Sequence, residues 1–270
     1  LKNGYTVRGS VRNLSKSKEI IKSIKTKIDP KKNLEFCELD LLSDKGWDDA
    51  VKDCQYVMHV ASPFINIEPR DENIYIRPAV DGTIRALKSA KKAGVKRVVL
   101  TSSMVSMLKN ADESILIDSA SWTNIDSPNV SAYAKSKTLA EKSAWEFIEN
   151  QDEKSPMELT VINPGPVFGP TLSNHLEGAS MSMFKQMITG KMPMVPKAAI
   201  NMSDVRDVAK IHVLALENQS ANGKRFIVTT EQPYSFQYLA KILKSNGYNK
   251  VGTRLAPNFL LKFLGYFDRE

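Results

Sequence analysis

Tyr133 and Lys137 stand four residues apart in Tyr133-Ala134-Lys135-Ser136-Lys137, at the start of a segment with helical period, Ala132–Glu149. On a helix that spacing puts both side chains on one face, so an ammonium lies close to a phenol. A free phenol titrates near pH ~10, and a nearby cation favours the phenolate, bringing Tyr133 toward the working range of a general acid. Alone, such a pair is common on any helix. Its context sharpens it. Thirty residues upstream of Tyr133, Arg97-Val98-Val99-Leu100-Thr101-Ser102-Ser103 reads as a buried strand ending in hydroxyls. From there Ser103 could hydrogen-bond a carbonyl that Tyr133 protonates; the bland alternative is that Ser102 and Ser103 cap the following turn.

Three further segments fall where strands end. Glu38-Leu39-Asp40-Leu41 offers an Asp suited to accept from an adenine amino group. His59-Val60-Ala61-Ser62-Pro63 offers small residues that let backbone approach a ligand, and Asn163-Pro164-Gly165-Pro166-Val167 forms a rigid turn. Each alone would pass for an ordinary loop.

The elements that must position these residues follow from hydrophobic period. β-rich runs occur at Tyr5–Val11, Leu34–Leu39, Tyr56–Val60, Arg97–Thr101, Leu159–Asn163 and Arg225–Thr229. Helical period occupies Ser15–Ile28, Asn73–Ala93, Ala132–Glu149, Asp204–Glu217 and Phe236–Ser245. Strands alternating with helices predict an α/β fold, a doubly wound parallel sheet covered on both faces, with ligands at the carboxyl ends of the strands. The alternation weakens after Pro164, where prolines, glycines and a Met-rich stretch from Met181 to Met194 predict a small C-terminal lobe. Its methionines either line an apolar pocket or fill a core. The expected division is a larger α/β domain over 1–164 and a lobe over 165–270, with 200–230 returning to the first.

Composition excludes several classes. With 270 residues, 42% hydrophobic and 25% charged, the chain is long enough for one large domain or a domain with a lobe. No apolar run approaches the ~20 residues needed to cross a bilayer, so a membrane protein is not expected. Cys37 and Cys54 match no metal-ligand spacing and are too few for a disulfide scaffold, which fits a reducing cytoplasm. The net charge of +8 is concentrated at the two ends and is poor in interleaved aromatics, so solvated helix faces explain it better than a nucleic-acid surface.

Taken in order, these motifs resemble the extended short-chain dehydrogenase/reductases: the group of dihydroflavonol reductases and bacterial aldehyde or ketone reductases, alongside the NAD-dependent epimerase/dehydratases. Gly4-Tyr5-Thr6-Val7-Arg8 with Val11-Arg12, Pro78-Ala79-Val80-Asp81-Gly82-Thr83 and Asp204-Val205-Arg206-Asp207-Val208-Ala209 carry the likeness along with the segments above. The resemblance implies a Rossmann-type fold, with 1–164 as an NAD(P)-binding domain and 165–270 as a substrate-binding lobe, and a catalytic triad of Ser103, Tyr133 and Lys137. Ser103 would orient the carbonyl, Tyr133 donate the proton, and Lys137 hold the ribose hydroxyls while lowering the Tyr133 pKa. It further implies that Arg12 contacts the 2′-phosphate of the cofactor, favouring NADP while leaving NAD open. Asp40 and Leu41 would flank adenine, Ala61 and Ser62 lie along the phosphates and ribose, and Pro164 and Val167 pack near the nicotinamide. The implied reaction is hydride transfer to an aldehyde or ketone, with a small-molecule carbonyl compound as partner. Many members of the family pair as homodimers, and nothing in this sequence decides that state.

Two departures stand out. There is no G-x-G-x-x-G or G-x-x-G-x-x-G, and Leu1-Lys2-Asn3-Gly4-Tyr5 resembles the end of the helix that follows such a turn. The sequence therefore reads as a fragment of a longer reductase, lacking the first strand and Gly-rich loop and ending without an obvious stop at Gly265–Glu270. A chain without that central strand is expected to bind NADP poorly and to be unstable. The polar Asn that plant dihydroflavonol reductases carry five residues after the serine is Leu108 here, which favours a small or medium apolar substrate. Nucleotide-sugar epimerisation or dehydration with NAD, a hydroxysteroid-type dehydrogenase, and a non-catalytic dinucleotide-sensing scaffold are the competing readings.

Overall fold

The computed structural model describes residues 1–63, 69–109, 116–152, 154–172 and 178–259. The C-terminal stretch from Gly265 lies outside the described residues. Residues 1–163 with 209–227 form the larger compact unit; 164–171, 178–208 and 228–259 form the smaller.

The larger unit alternates strand and helix as its sequence period predicts. It begins β1 (Val7–Val11), α1 (Ser17–Lys25), β2 (Leu34–Glu38), α2 (Trp47–Val51), β3 (Tyr56–His59), α3 (Asn73–Lys92), β4 (Arg97–Thr101) and α4 (Ala132–Glu149). β5 (Glu158–Pro164) leads out of it. β3, β4 and β5 pair in parallel, with Tyr56 opposite Arg97 and Arg97 opposite Glu158, and the strand order is β10-β5-β4-β3 once β10 (Lys224–Val228) is added. β1 and β2 pair in parallel with each other, Val7 opposite Leu34, as a separate sheet. Where one continuous sheet is expected, two parallel pieces are found, and among the described residues no strand links β1 to β3.

The core explains why these runs are strands. Every side chain of Arg97-Val98-Val99-Leu100 is buried, as for a strand covered on both faces. Val98, Leu100, Leu159 and Val161 pack with Leu87 and Ala90 of α3 and Ala144 of α4. Truncating Leu87, 1% exposed, would cost about 2–5 kcal/mol. Gly82 lets α3 approach closely: a Cβ there would lie 2.6 Å from Leu41 Cδ2. Arg97 closes the C-terminus of a later helix, α6 (Val205–Glu217), donating to the carbonyls of Ala215, Leu216 and Asn218 at 2.6, 3.2 and 2.7 Å.

The smaller unit holds β6 (Val167–Phe168), α5 (Ala179–Thr189), β7 (Met194–Val195), β8 (Ala199–Ile200), β9 (Ser203–Asp204), β11 (Tyr234–Ser235), α7 (Phe236–Ser245) and β12 (Arg254–Leu255). Its strands pair two by two, β6 with β9, β7 with β12 and β8 with β11. Met187 is fully buried among Val195, Phe236, Leu239, Ala240 and Val251, with Met183 and Met192 packed against them. Of the two roles open to the Met-rich stretch, these three serve as core. No helix among the described residues is long and apolar enough to cross a membrane.

Candidate active site

The end of β4 and the start of α4 bring Ser103, Tyr133 and Lys137 together. Ser131 caps α4, its Oγ accepting from the Ala134 amide at 3.2 Å, which fixes where the helix begins and so where Tyr133 and Lys137 point. Ser103 begins a tight turn, Met104–Ser106, and its Oγ accepts from the Val105 amide at 3.4 Å. The bland reading of this serine is thus also true: it caps a turn. That bond uses a lone pair of the serine oxygen, and the side chains of Ser103 and Tyr133 are also hydrogen-bond partners. The Tyr133 ring meets the buried Tyr75 of α3 edge-on, centroids 6.1 Å apart at 68°.

The electrostatics correct one expectation. The phenol of Tyr133 is not lowered by the ammonium: burial holds it above its ordinary value, Ser103 draws it partly back, and the Tyr75 charge adds to the rise. Lys137 is buried, and its Nζ donates to the Thr101 carbonyl at 3.3 Å. Burial pushes this ammonium down to about 8, against the pull of Glu141 in the other direction. Sequence spacing places the two groups on one face but does not register how far desolvation penalises each charge.

A small cavity lined by His59, Ala61, Ser62, Thr101, Lys137 and Glu141 lies at the ends of β3 and β4. His59 is buried, with its imidazole lowered to about 4 by burial and then by the Lys137 charge. One feature of the residues suits a ribose. An ammonium has three donors, and Lys137 spends one on Thr101, so among the described residues two donors in this cavity are unspent. Two ribose hydroxyls would take them.

The other expected contacts are distributed as follows. Arg12 follows β1 and is exposed, with no partner among the described residues. Asp40 accepts from the Leu42 amide at 2.8 Å and is exposed; Leu41 is half-buried against Gly82. Ala61 and Ser62 line the cavity. Pro164, buried at the end of β5, and Val167, half-buried in β6 opposite Ser203, belong to the smaller unit.

Two groups escaped the sequence reading. Glu141 is fully buried one turn beyond Lys137, a spacing that was visible but whose burial was not. The Thr101 carbonyl is backbone, with no side-chain signal to find. Thr101 Oγ1 also lies 2.6 Å from His212 Nε2.

Comparison with known proteins shows the family. The model of the 3-beta hydroxysteroid dehydrogenase/isomerase family matches residues 8–256. An NADPH-dependent methylglyoxal reductase of Saccharomyces cerevisiae is 33% identical over 266 residues, covering 91% of this chain and 77% of that protein. A cinnamoyl-CoA reductase of Medicago truncatula is 34% identical over 241 residues, covering 87% and 72%. The crystal structure of the yeast methylglyoxal/isovaleraldehyde reductase complexed with NADPH superposes with a TM-score of 0.78 at 28% identity, covering 98% of this chain and 87% of that one.

Proposed function

We propose that Tyr133 is the proton donor of this chain, which belongs to the 3-beta hydroxysteroid dehydrogenase/isomerase family. The chain is an NADP-dependent oxidoreductase of the Rossmann type that reduces an aldehyde or ketone to an alcohol. The observation that carries the assignment is the Ser103 to Tyr133 hydrogen bond, with the buried Lys137 ammonium one helical turn further on.

NADPH, when bound, supplies the hydride. The chain's own residues do the rest. Lys137 turns its two unspent donors to the ribose hydroxyls, and Arg12 meets the 2′-phosphate, with Lys16 and Lys18 adding to the field. Asp40 and Leu41 flank the adenine, Ala61 and Ser62 run beside the phosphates and ribose, and Pro164 with Val167 pack near the nicotinamide. Ser103 donates to the substrate carbonyl oxygen and orients it. Tyr133 gives its proton to that oxygen as negative charge develops, and a phenol held above its usual value by burial arrives at this step protonated. The smaller unit is the substrate lobe. A small carbonyl compound is the substrate class, as for the yeast relative, and the two free cysteines suit a reducing cytoplasm.

The test follows loss of NADPH absorbance against a panel of aldehydes and ketones, with Tyr133→Phe as control. Turnover should fall about 10²–10⁴-fold in the variant while NADPH still binds. Equal turnover by variant and parent removes Tyr133 from the mechanism, and NADPH binding without turnover of any carbonyl by the parent favours the sensing scaffold.

A further inference from the structure

Glu141 has no part in the proton transfer described above, yet it is the most heavily hydrogen-bonded carboxylate near it. It lies on α4 two turns beyond Tyr133 and is fully buried. Its Oε2 accepts from Ser102 Oγ at 2.6 Å, Ser106 Oγ at 2.7 Å and Asn163 Nδ2 at 2.9 Å. Its Oε1 accepts from Arg225 Nε at 2.5 Å and from Trp145 Nε1 at 3.4 Å. Arg225 in turn lies over the Trp122 ring, 3.7 Å from the centroid, and donates to the Ser119 and Ser121 carbonyls at 3.0 and 2.7 Å. One carboxylate therefore ties the ends of β4 and β5 and the start of β10 to the catalytic helix.

Two of these ties reach the reacting groups. Ser102 and Ser106 bracket Ser103, whose carbonyl accepts from Asn163 Nδ2 at 3.3 Å and lies 2.8 Å from Ser106 Oγ, whose single proton serves either that carbonyl or Glu141. The Glu141 charge also acts on the Lys137 ammonium, and a charge in a site cleared of water acts at greater strength than one at the surface. We propose that Glu141 is a positioning residue for the reaction: its carboxylate holds the Ser103 turn against α4, one helical turn from Lys137 on the wall of the same cavity. This rests on the reading of Ser103, Tyr133 and Lys137 as the reacting groups.

The other titratable groups around Lys137 do not duplicate this role. From β3 it faces His59, from its own helix Glu141, and through Thr101 it connects to His212 of α6. Arg225 stands behind Glu141 on β10. With His59 neutral at working pH, Glu141 supplies the opposing charge among the described residues.

The experiment uses the full chain with Glu141→Gln, Glu141→Asp and Ser106→Ala, measuring kcat and KM across pH and, separately, the titration of the Lys137 ammonium by NMR. Without the negative charge Lys137 gives up its proton more readily. Glu141→Gln should therefore lower kcat at least about tenfold with little change in KM, and move the basic limb of the pH profile down by about one pH unit. Glu141→Asp should restore the limb, and Ser106→Ala should lower kcat without moving it. A basic limb and Lys137 titration that stay in place in Glu141→Gln overturn the proposal, as does a Ser106→Ala variant with the parent's kcat. If Glu141→Gln does not fold, Ser106→Ala decides instead: it must lower kcat without moving the basic limb, and the parent's kcat in that variant overturns the proposal. A Lys137 titration that moves as expected in a parent that turns over no carbonyl overturns the function instead, and leaves the electrostatic effect of Glu141 standing.

Discussion

Lys137 is fastened to the end of β4: its Nζ donates to the Thr101 carbonyl at 3.3 Å, two residues before the serine that reaches Tyr133. The ammonium and the serine are thus placed by the same strand end. A shift of β4 against α4 would move both at once, which is why the packing of this strand bears directly on the chemistry.

The burial of Lys137 has a cost in stability. Its value is pushed down to about 8 from 10.5, so the unfolded chain holds the proton more tightly, and stability rises with pH between those values. Below that window the buried charge costs about 3 kcal/mol, at about 1.4 kcal/mol per tenfold in proton affinity. Lys137→Met should abolish turnover yet raise stability at pH 7 by roughly 1–3 kcal/mol, once the lost hydrogen bond is subtracted. Urea denaturation at pH 7 and at pH 10.5 measures this, and a variant less stable than the parent at pH 7 contradicts it.

His59 works in the acid range. Its folded value of about 4 lies below the ordinary 6.5, so its contribution is fully present above pH 6.5 and is lost as the pH falls through 4. Denaturant midpoints between pH 7 and 4 should fall steeply in the parent and more gently in His59→Gln, by up to about 3 kcal/mol across the range. Parallel curves would show that His59 is not the group responsible.

The Arg97 side chain is 1% exposed and serves both Glu158, at 2.6 Å, and the three carbonyls at the end of α6. Arg97→Leu leaves all of these acceptors without their donor and should destabilise the chain by about 3–5 kcal/mol. The expected signature is a lower denaturation midpoint with an unchanged slope; a shift under about 1 kcal/mol would show that α6 closes its end by other means.

Arg12 should discriminate between cofactors. A hydrogen bond to a charged group contributes about 1.5–3 kcal/mol, so Arg12→Glu should weaken NADPH binding at least about tenfold and leave NADH nearly unchanged. Fluorescence titration of both nucleotides tests this, and an equal loss for the two would remove Arg12 from the 2′-phosphate.

By itself the sequence determined the periodic parts. Ala132–Glu149 and Phe236–Ser245 are helices with the bounds their apolar spacing predicts, and the continuous apolar run of Arg97–Thr101 is a strand buried on both faces. It also placed Ser103, Tyr133 and Lys137 as one group, because a strand end and a helix start are local features that side-chain type and spacing record. The five residues of α2, Trp47–Val51, were not legible, since one turn and a half is too short to show a period. Neither was the separation of β1 and β2 from β3, β4 and β5, because strand pairing is a long-range choice. The tertiary structure alone decided the electrostatics: which charges lose their water, that burial raises the Tyr133 phenol and lowers Lys137, and that a glutamate one turn away is drawn inside by Ser102, Ser106, Asn163 and Arg225. Desolvation depends on everything packed around a group, and those neighbours come from segments as far apart in sequence as β3 and β10.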